Sequence, residues 1–186
     1  MAGGSSAAAV AGRIEAVSEL GEGPPVVVLA DGFAGSPAHQ ALARRFRVIV
    51  LAPIDHASGP AVAAWLGEAG IADGGVLGVG DKAPAALAAA IAAGARALVL
   101  VSPAGLAPPE GPIPATAVLV GSRDPGQPRD ALALYRRMLP GCRTVLVYGA
   151  GADIAAERPE ALAAAAGDFL DRQGRFNLMT ESMALD

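Results

Sequence analysis

The stretch Val76–Pro103 (VLGVGDKAPAALAAAIAAGARALVLVSP) joins an apolar run, a glycine-containing turn, an alanine-rich segment and a second apolar run. The two apolar runs, Gly75–Val79 and Ala97–Val101, have the length and composition of strands that are buried on both faces. The segment between them, Pro84–Ala93, begins with a proline and predicts a helix. A strand, a helix and a strand in this order predict one unit of a parallel sheet.

The same alternation of strand and helix continues on both sides of this stretch. We therefore predict an α/β fold with a doubly wound, mostly parallel sheet of about six to seven strands and helices on both faces. Ligands in such folds bind at the carboxyl ends of the strands. The other predicted elements are a weak edge strand at Arg13–Leu20, strands at Pro25–Ala30, Arg47–Ala52, Ala117–Val120 and Thr144–Tyr148, and helices at Pro37–Phe46, Ala61–Ala69, Arg129–Met138 and Pro159–Arg172.

The chain of 186 residues predicts one domain at 13–172, preceded by a flexible leader at 1–12 and followed by a C-terminal tail at 173–186. The tail does not share the alanine-rich composition of the domain. Two interpretations of it stay open: a disordered tail, or a docking segment for this domain or a partner. The tail residues that we predict to bind a partner are Phe176, Leu178, Met179, Met183 and Leu185.

The composition excludes several classes of protein. A net charge of −4 and a pI near 5.1 argue against nucleic acid as a ligand, since no basic stripe is available for phosphates. The single cysteine, Cys142, cannot form an internal disulfide and predicts a cytoplasmic protein. No apolar stretch is long enough for a transmembrane helix. The mean hydropathy of +0.43 reflects either the alanine content or apolar surface that a partner covers.

Four segments resemble, in order, the parts of the α/β-hydrolase fold superfamily. They are Gly21–Ser36 for the first oxyanion loop, Val76–Pro103 for the nucleophile elbow and its helix, Val118–Pro128 for the strand ending in the triad acid, and Leu139–Arg172 for the histidine loop and closing helix. The resemblance implies a Ser-His-acid site at the carboxyl edge of the sheet. Leu106–Pro114 is too short for the cap that many members insert, which implies a capless member.

The residues at the catalytic positions depart from the family pattern. The elbow G-x-S-x-G corresponds to Gly78–Lys82, so Gly80 stands at the position of the nucleophile. Ala152 stands at the position of the histidine, and Asp124 alone keeps the acid. The oxyanion loop reads Asp31-Gly32 in place of His-Gly, and a carboxylate there would repel a developing oxyanion. We therefore expect no ordinary Ser-His-Asp hydrolysis.

Other chemistry at these positions stays open. A one-residue shift would make Asp81 the nucleophile, as in haloalkane and fluoroacetate dehalogenases, which the elbow resembles in that register. Gly78–Ala83 also matches the dinucleotide pattern G-x-G-x-x-A, although no acidic residue follows at the required distance. His56 lies either near the cleft or in solvent, whereas His39 is predicted to be exposed on its helix and Cys142 to be structural. Asp31, Asp55, Asp81, Asp124 and Asp153 form either a solvated rim, with Lys82 neutralising one of them, or a site for a hard cation.

These observations predict a degenerate, non-catalytic hydrolase-like protein that serves as an accessory or structural subunit, in a hetero-complex or a homo-oligomer. We expect neither a metal nor a cofactor. Two alternatives remain: a small-ligand binder that uses the vacated pocket, and an unusual esterase or lyase. The predicted cleft residues are Asp31, Gly32, Asp81, Lys82 and His56.

Overall fold

The computed structural model describes residues 14–55, 57–71 and 74–172. Strands and helices alternate along this part of the chain. The strands are β1 (Glu15–Leu20), β2 (Pro25–Leu29), β3 (Arg47–Ala52), β4 (Gly75–Val79), β5 (Ala97–Val101), β6 (Ala115–Gly121) and β7 (Arg143–Val147). The helices are α1 (Pro37–Ala43), α2 (Gly59–Glu68), α3 (Ala83–Ala93), α4 (Ala131–Met138), α5 (Ile154–Glu157) and α6 (Pro159–Asp171), with a 3₁₀ turn at Gly80–Lys82 before α3.

The seven strands form one sheet in the order β1-β3-β2-β4-β5-β6-β7. β1 pairs antiparallel with β3 at one edge, and every other pair is parallel. The parallel strands consequently direct their carboxyl ends to the same edge of the sheet, which is where a ligand site is expected. The predicted doubly wound, mostly parallel fold is confirmed.

Helices cover both faces of the sheet, and each face has its own apolar core. One core holds buried residues of α2, α3 and α4, and the other holds those of α1, α5 and α6. The alanines of α3 allow close packing, since a Cβ added to Gly59 of α2 would lie 2.5 Å from the Ala88 Cβ. Close approach of these two helices requires small side chains such as the alanines of α3, because larger side chains would not fit between them.

Most of the sequence-based elements lie within two residues of their predicted ends. α1 is shorter than predicted, because the chain turns after Ala43 and buries Phe46 in the core. α5 was missed, and so was the 3₁₀ turn before α3. The predicted leader 1–12, His56 and the tail at 173–186 lie outside the described residues. Within the described residues, no helix is long and apolar enough to cross a membrane.

Candidate functional site

Three predicted cleft residues meet at the carboxyl edge of the sheet. Lys82 Nζ lies 3.0 Å from Asp31 Oδ2 and 3.1 Å from Asp81 Oδ2. Asp31 follows β2 and Asp81 follows β4, and these two strands are neighbours in the sheet. The Lys82 side chain is 10% exposed, whereas the two carboxylates are 83% and 75% exposed. One ammonium group therefore joins two loops, whereas the sequence analysis considered Lys82 only as neutralising one of the carboxylates.

The two carboxylates also fix the charge of the lysine. The hydrogen bond to Asp31 raises the pKa of Lys82 above its ordinary value, although burial opposes this shift. The ammonium group therefore stays protonated at neutral pH and has no lone pair with which to accept a proton. Lys82 consequently fits a role in holding the two loops together better than a role as a general base.

The turn between β4 and α3 keeps the geometry of a strand-to-helix elbow but carries no side chain at its apex. Gly80 has a φ of 58°, and a Cβ added there would meet no atom within 4 Å. Gly78 permits the close approach of α3, since its added Cβ would lie 2.4 Å from the Ala86 Cβ. The Ala104 N–H donates to the Gly80 carbonyl at 2.9 Å and so joins this turn to the loop after β5.

The loops that carry Asp124 and Ala152 lie against each other. Gly149 N–H donates to Ser122 Oγ at 2.9 Å, and Arg123 N–H donates to the Ala150 carbonyl at 2.8 Å. Asp124 is buried, and its Oδ1 accepts from Gly126 N–H at 2.9 Å. The acid is thus held by its own loop, in the manner of an Asx turn.

The remaining carboxylates of the predicted rim form hydrogen bonds with residues close to them in the sequence. Asp153 Oδ1 accepts from Ala156 N–H at 3.0 Å and caps α5. Asp55 Oδ1 accepts from Ala57 N–H at 2.8 Å and from Ser58 Oγ at 2.9 Å. In the part of the chain that the structure describes, no group of three or more histidine, cysteine or carboxylate side chains is arranged to hold a metal ion.

His39 corrects one of the sequence-based predictions. It was expected to be exposed on α1, but only 1% of the residue is exposed. Its Nδ1 accepts from Gly35 N–H at 2.9 Å, and its ring lies 5.9 Å from that of Phe33. Burial lowers the pKa of His39, and the backbone of Val48 offsets part of that shift. His39 therefore stabilises the loop after β2 as a neutral ring.

Ser102 is a residue that the sequence analysis missed. It follows β5 at the same edge of the sheet, with a φ of 42°, and is 6% exposed. Its Oγ has no hydrogen-bond partner. Backbone strain in a non-glycine residue is often found at functional positions. Ser102 is therefore a candidate functional residue. The only signal in the sequence was its place between a predicted strand and Pro103.

Beside Asp124, a groove of about 500 Å³ runs along α4 towards β7. Gln127, Leu132, Arg136 and Leu146 contribute to its walls. Cys142 lies away from this edge, before β7, where it is buried and its Sγ lies 3.6 Å from the Tyr135 carbonyl. Burial raises the pKa of the Cys142 thiol, which disfavours the reactive thiolate.

Comparison with solved structures shows that the chain has the fold of α/β hydrolases. An esterase from Thermogutta terrifontis superposes with a TM-score of 0.68 at 16% identity, over 87% of this chain and 94% of that chain. MGS-MChE2, an α/β hydrolase enzyme from a sediment metagenome of the Mar Chica lagoon, gives 0.69 at 16% identity, over 88% and 97%. The esterase RhEst1 from a Rhodococcus species gives 0.66 at 13% identity, over 84% and 94%. No family model and no curated protein matches the chain.

Proposed function

We propose that this chain, which has the α/β-hydrolase fold, is a non-catalytic hydrolase-like protein and serves as a subunit of a protein complex. The proposal rests on which residues form the turn Gly78–Lys82. Gly80 retains the left-handed turn but offers no nucleophilic atom, and Lys82 beside it is bound by two carboxylates. Acyl transfer needs a nucleophile and a base within hydrogen-bond reach of each other.

The position of His39 supports the same conclusion. His39 is the one histidine among the described residues, and it lies buried in α1 with its Nδ1 engaged by the Gly35 N–H. Ala152 at the family's histidine position has no group that transfers a proton. The pattern of losses thus removes the nucleophile and the base while the framework around them persists.

The same ion pairs give the carboxyl edge a feature that a protein partner would recognise. Lys82 holds Asp31 and Asp81 in fixed positions, and both carboxylates face solvent. A preorganised pair of acceptors binds a guanidinium group with a small loss of side-chain entropy. We therefore propose that the partner presents an arginine to this pair.

Two measurements test the proposal. The purified chain should hydrolyse p-nitrophenyl acetate and butyrate no faster than buffer, and a fluorophosphonate probe should not label it. Turnover that disappears in Ser102→Ala or Asp81→Asn would establish an enzyme instead and would overturn the proposal.

Capture from an extract of its own cells tests the complex. The tagged full chain should retain a stoichiometric partner, and Asp31→Asn with Asp81→Asn should weaken that retention. The matched control replaces Glu68 and Glu110 with glutamine, since these exposed carboxylates form none of the ion pairs described above. Equal retention by both double variants would contradict the proposed recognition.

A second candidate function is the binding of a small ligand. The groove beside Asp124, of about 500 Å³, has the size of a small-molecule site and combines apolar and charged walls. Thermal-shift screening with acyl esters, lactones and phosphates tests this candidate. A shift that Leu132→Lys abolishes would favour the ligand over the protein partner.

A further inference from the structure

The two edges of the sheet differ in how they resist pairing with another strand. An edge strand exposes unpaired backbone groups, and proteins protect such edges with bulges and charged side chains. β1 has both devices. Its register with β3 shifts between Ala16 and Ser18, and the exposed Glu15 and Glu19 lie along it.

β7 at the opposite edge has no bulge and only one charged residue. It pairs with β6 in a continuous register, and its sequence RTVLV has one charge, Arg143, at its first residue. Leu146 is 52% exposed, and Tyr148, directly after the strand, is 86% exposed. The edge is regular and apolar, and no strand of the described residues pairs with its outer side.

The helix beside β7 has a charge distribution that is complementary to its own antiparallel copy. Asp130 precedes the first residue of α4, and Arg136 and Arg137 lie in its last turn. Asp130 and Arg137 are each 66% exposed and form an ion pair with each other at 3.5 Å, from which a second copy would draw them. When two such helices lie side by side in opposite directions, the acidic end of each faces the basic end of the other.

We propose that β7 pairs antiparallel with β7 of a second copy of this chain, across a two-fold axis near Val145. Such a contact is isologous, which means that both copies use the same surface. If one residue of the first copy contacts a second residue of the other copy, the reverse contact also forms. The two sheets become continuous, and two α4 helices lie antiparallel on one face. The second copy covers Leu146 and the end of the groove that this leucine lines. The proposal concerns self-association and does not depend on the proposed loss of catalysis or on the partner at the carboxyl edge.

Analytical ultracentrifugation of the purified full chain tests this inference. The wild-type protein should sediment as a dimer in equilibrium with monomer. Leu146→Lys introduces a charge at each side of the axis and should raise the dimer dissociation constant by at least about tenfold, which corresponds to about 1.4 kcal/mol. Val17→Lys is the matched control, since Val17 is 56% exposed on the protected edge, and it should leave the dimer unchanged.

A charge exchange tests the role of α4. Asp130→Arg places like charges between the two helices and should weaken the dimer, and adding Arg137→Asp should restore it. Circular dichroism confirms that each variant folds, as expected for substitutions of exposed side chains. A monomer at about 100 μM wild-type protein would overturn the proposal, and so would a dimer that Val17→Lys dissociates and Leu146→Lys does not. If a different protein, and not a second copy, pairs with β7, the purified chain will sediment as a monomer.

Discussion

Lys82 Nζ lies 3.0 Å from Asp31 Oδ2, so one ion pair joins the loop after β2 to the turn after β4. In the register of the family resemblance, these are the loops that would surround a reacting carbonyl. Lys82 also stands where the elbow pattern has a glycine. A residue that departs from the pattern therefore forms the contact that joins these two loops.

Lys82→Met should loosen the loop at 31–36 without unfolding the domain. Methionine keeps the apolar contacts of the lysine stem but leaves Asp31 and Asp81 without a cation. Because both carboxylates are exposed, the free energy of unfolding should fall by only about 1 kcal/mol. Chemical denaturation measures that change, and hydrogen exchange should show faster exchange of amides at 31–36. A loss of several kcal/mol would contradict the local role.

The difference between wild type and Lys82→Met should depend on pH only under alkaline conditions. The hydrogen bond to Asp31 raises the pKa of Lys82 in the folded state above its ordinary value of 10.5. The stabilisation from the ammonium group is therefore complete below pH 10.5 and disappears as the pH rises through the folded-state pKa. Denaturation of both proteins at pH 8 and at pH 11.5 should show a smaller difference at the higher pH. An equal difference at both values would contradict the assignment to the ammonium group.

His39 should make the protein less stable as the solution is acidified. Burial lowers the pKa of His39 below its ordinary value of 6.5, so the unfolded chain binds a proton more readily than the folded one. The free energy of unfolding should consequently fall as the pH decreases from 6.5 towards the folded-state pKa, and this contribution should be absent in His39→Gln. Thermal melts between pH 5 and pH 8 of both proteins measure it. Parallel pH profiles would contradict the prediction.

Gly121→Ala should disrupt the contact between β6 and the loop that carries Ala152. The added Cβ would lie 2.1 Å from the Gly151 carbonyl oxygen and 2.6 Å from that of Ala150. Since both contacts are with backbone, the loop must move, and we expect a loss of about 3 kcal/mol. Gly67→Ala is the control, because its Cβ meets nothing within 4 Å on the exposed side of α2. That substitution should stabilise the protein by about 0.5–1 kcal/mol.

The sequence predicted the sheet more completely than the site because strand and helix patterns are local. β4 and β5 were predicted with their observed bounds, since both are short apolar runs: glycines border β4, and Arg96 and Ser102 border β5. α5 was missed because four residues carry too little periodicity to be recognised. The pairing of Asp31 with Lys82 across two loops depends on β2 and β4 being neighbours in the sheet, and the sequence analysis predicted no strand order.

The residues that sequence reasoning misjudged are those whose environment depends on distant packing. Nothing local distinguishes a buried His39 from an exposed one, because α1 packs His39 and Ala38 inward while Gln40 faces solvent. Ser102 looked like an ordinary residue at the end of a strand, and its left-handed backbone and buried hydroxyl follow from the turn into Pro103. Residues of this kind can be recognised only in the three-dimensional structure.

Restoring the two missing groups tests whether positions 80, 124 and 152 converge in space. A Cβ at Gly80 meets no atom within 4 Å, so a serine there meets no steric clash, although the φ of 58° strains its backbone. The double variant Gly80→Ser with Ala152→His should hydrolyse p-nitrophenyl acetate at least about tenfold faster than wild type, because a general base activates the hydroxyl. Each single variant should remain at the wild-type rate, since a nucleophile and its base act as a unit. The triple variant with Asp124→Asn is the control and should lose most of the gain, because the acid orients the histidine. A double variant no faster than the singles would mean that these three positions do not form a triad arrangement, and the proposed lack of catalysis could then not be explained by the residues at positions 80 and 152.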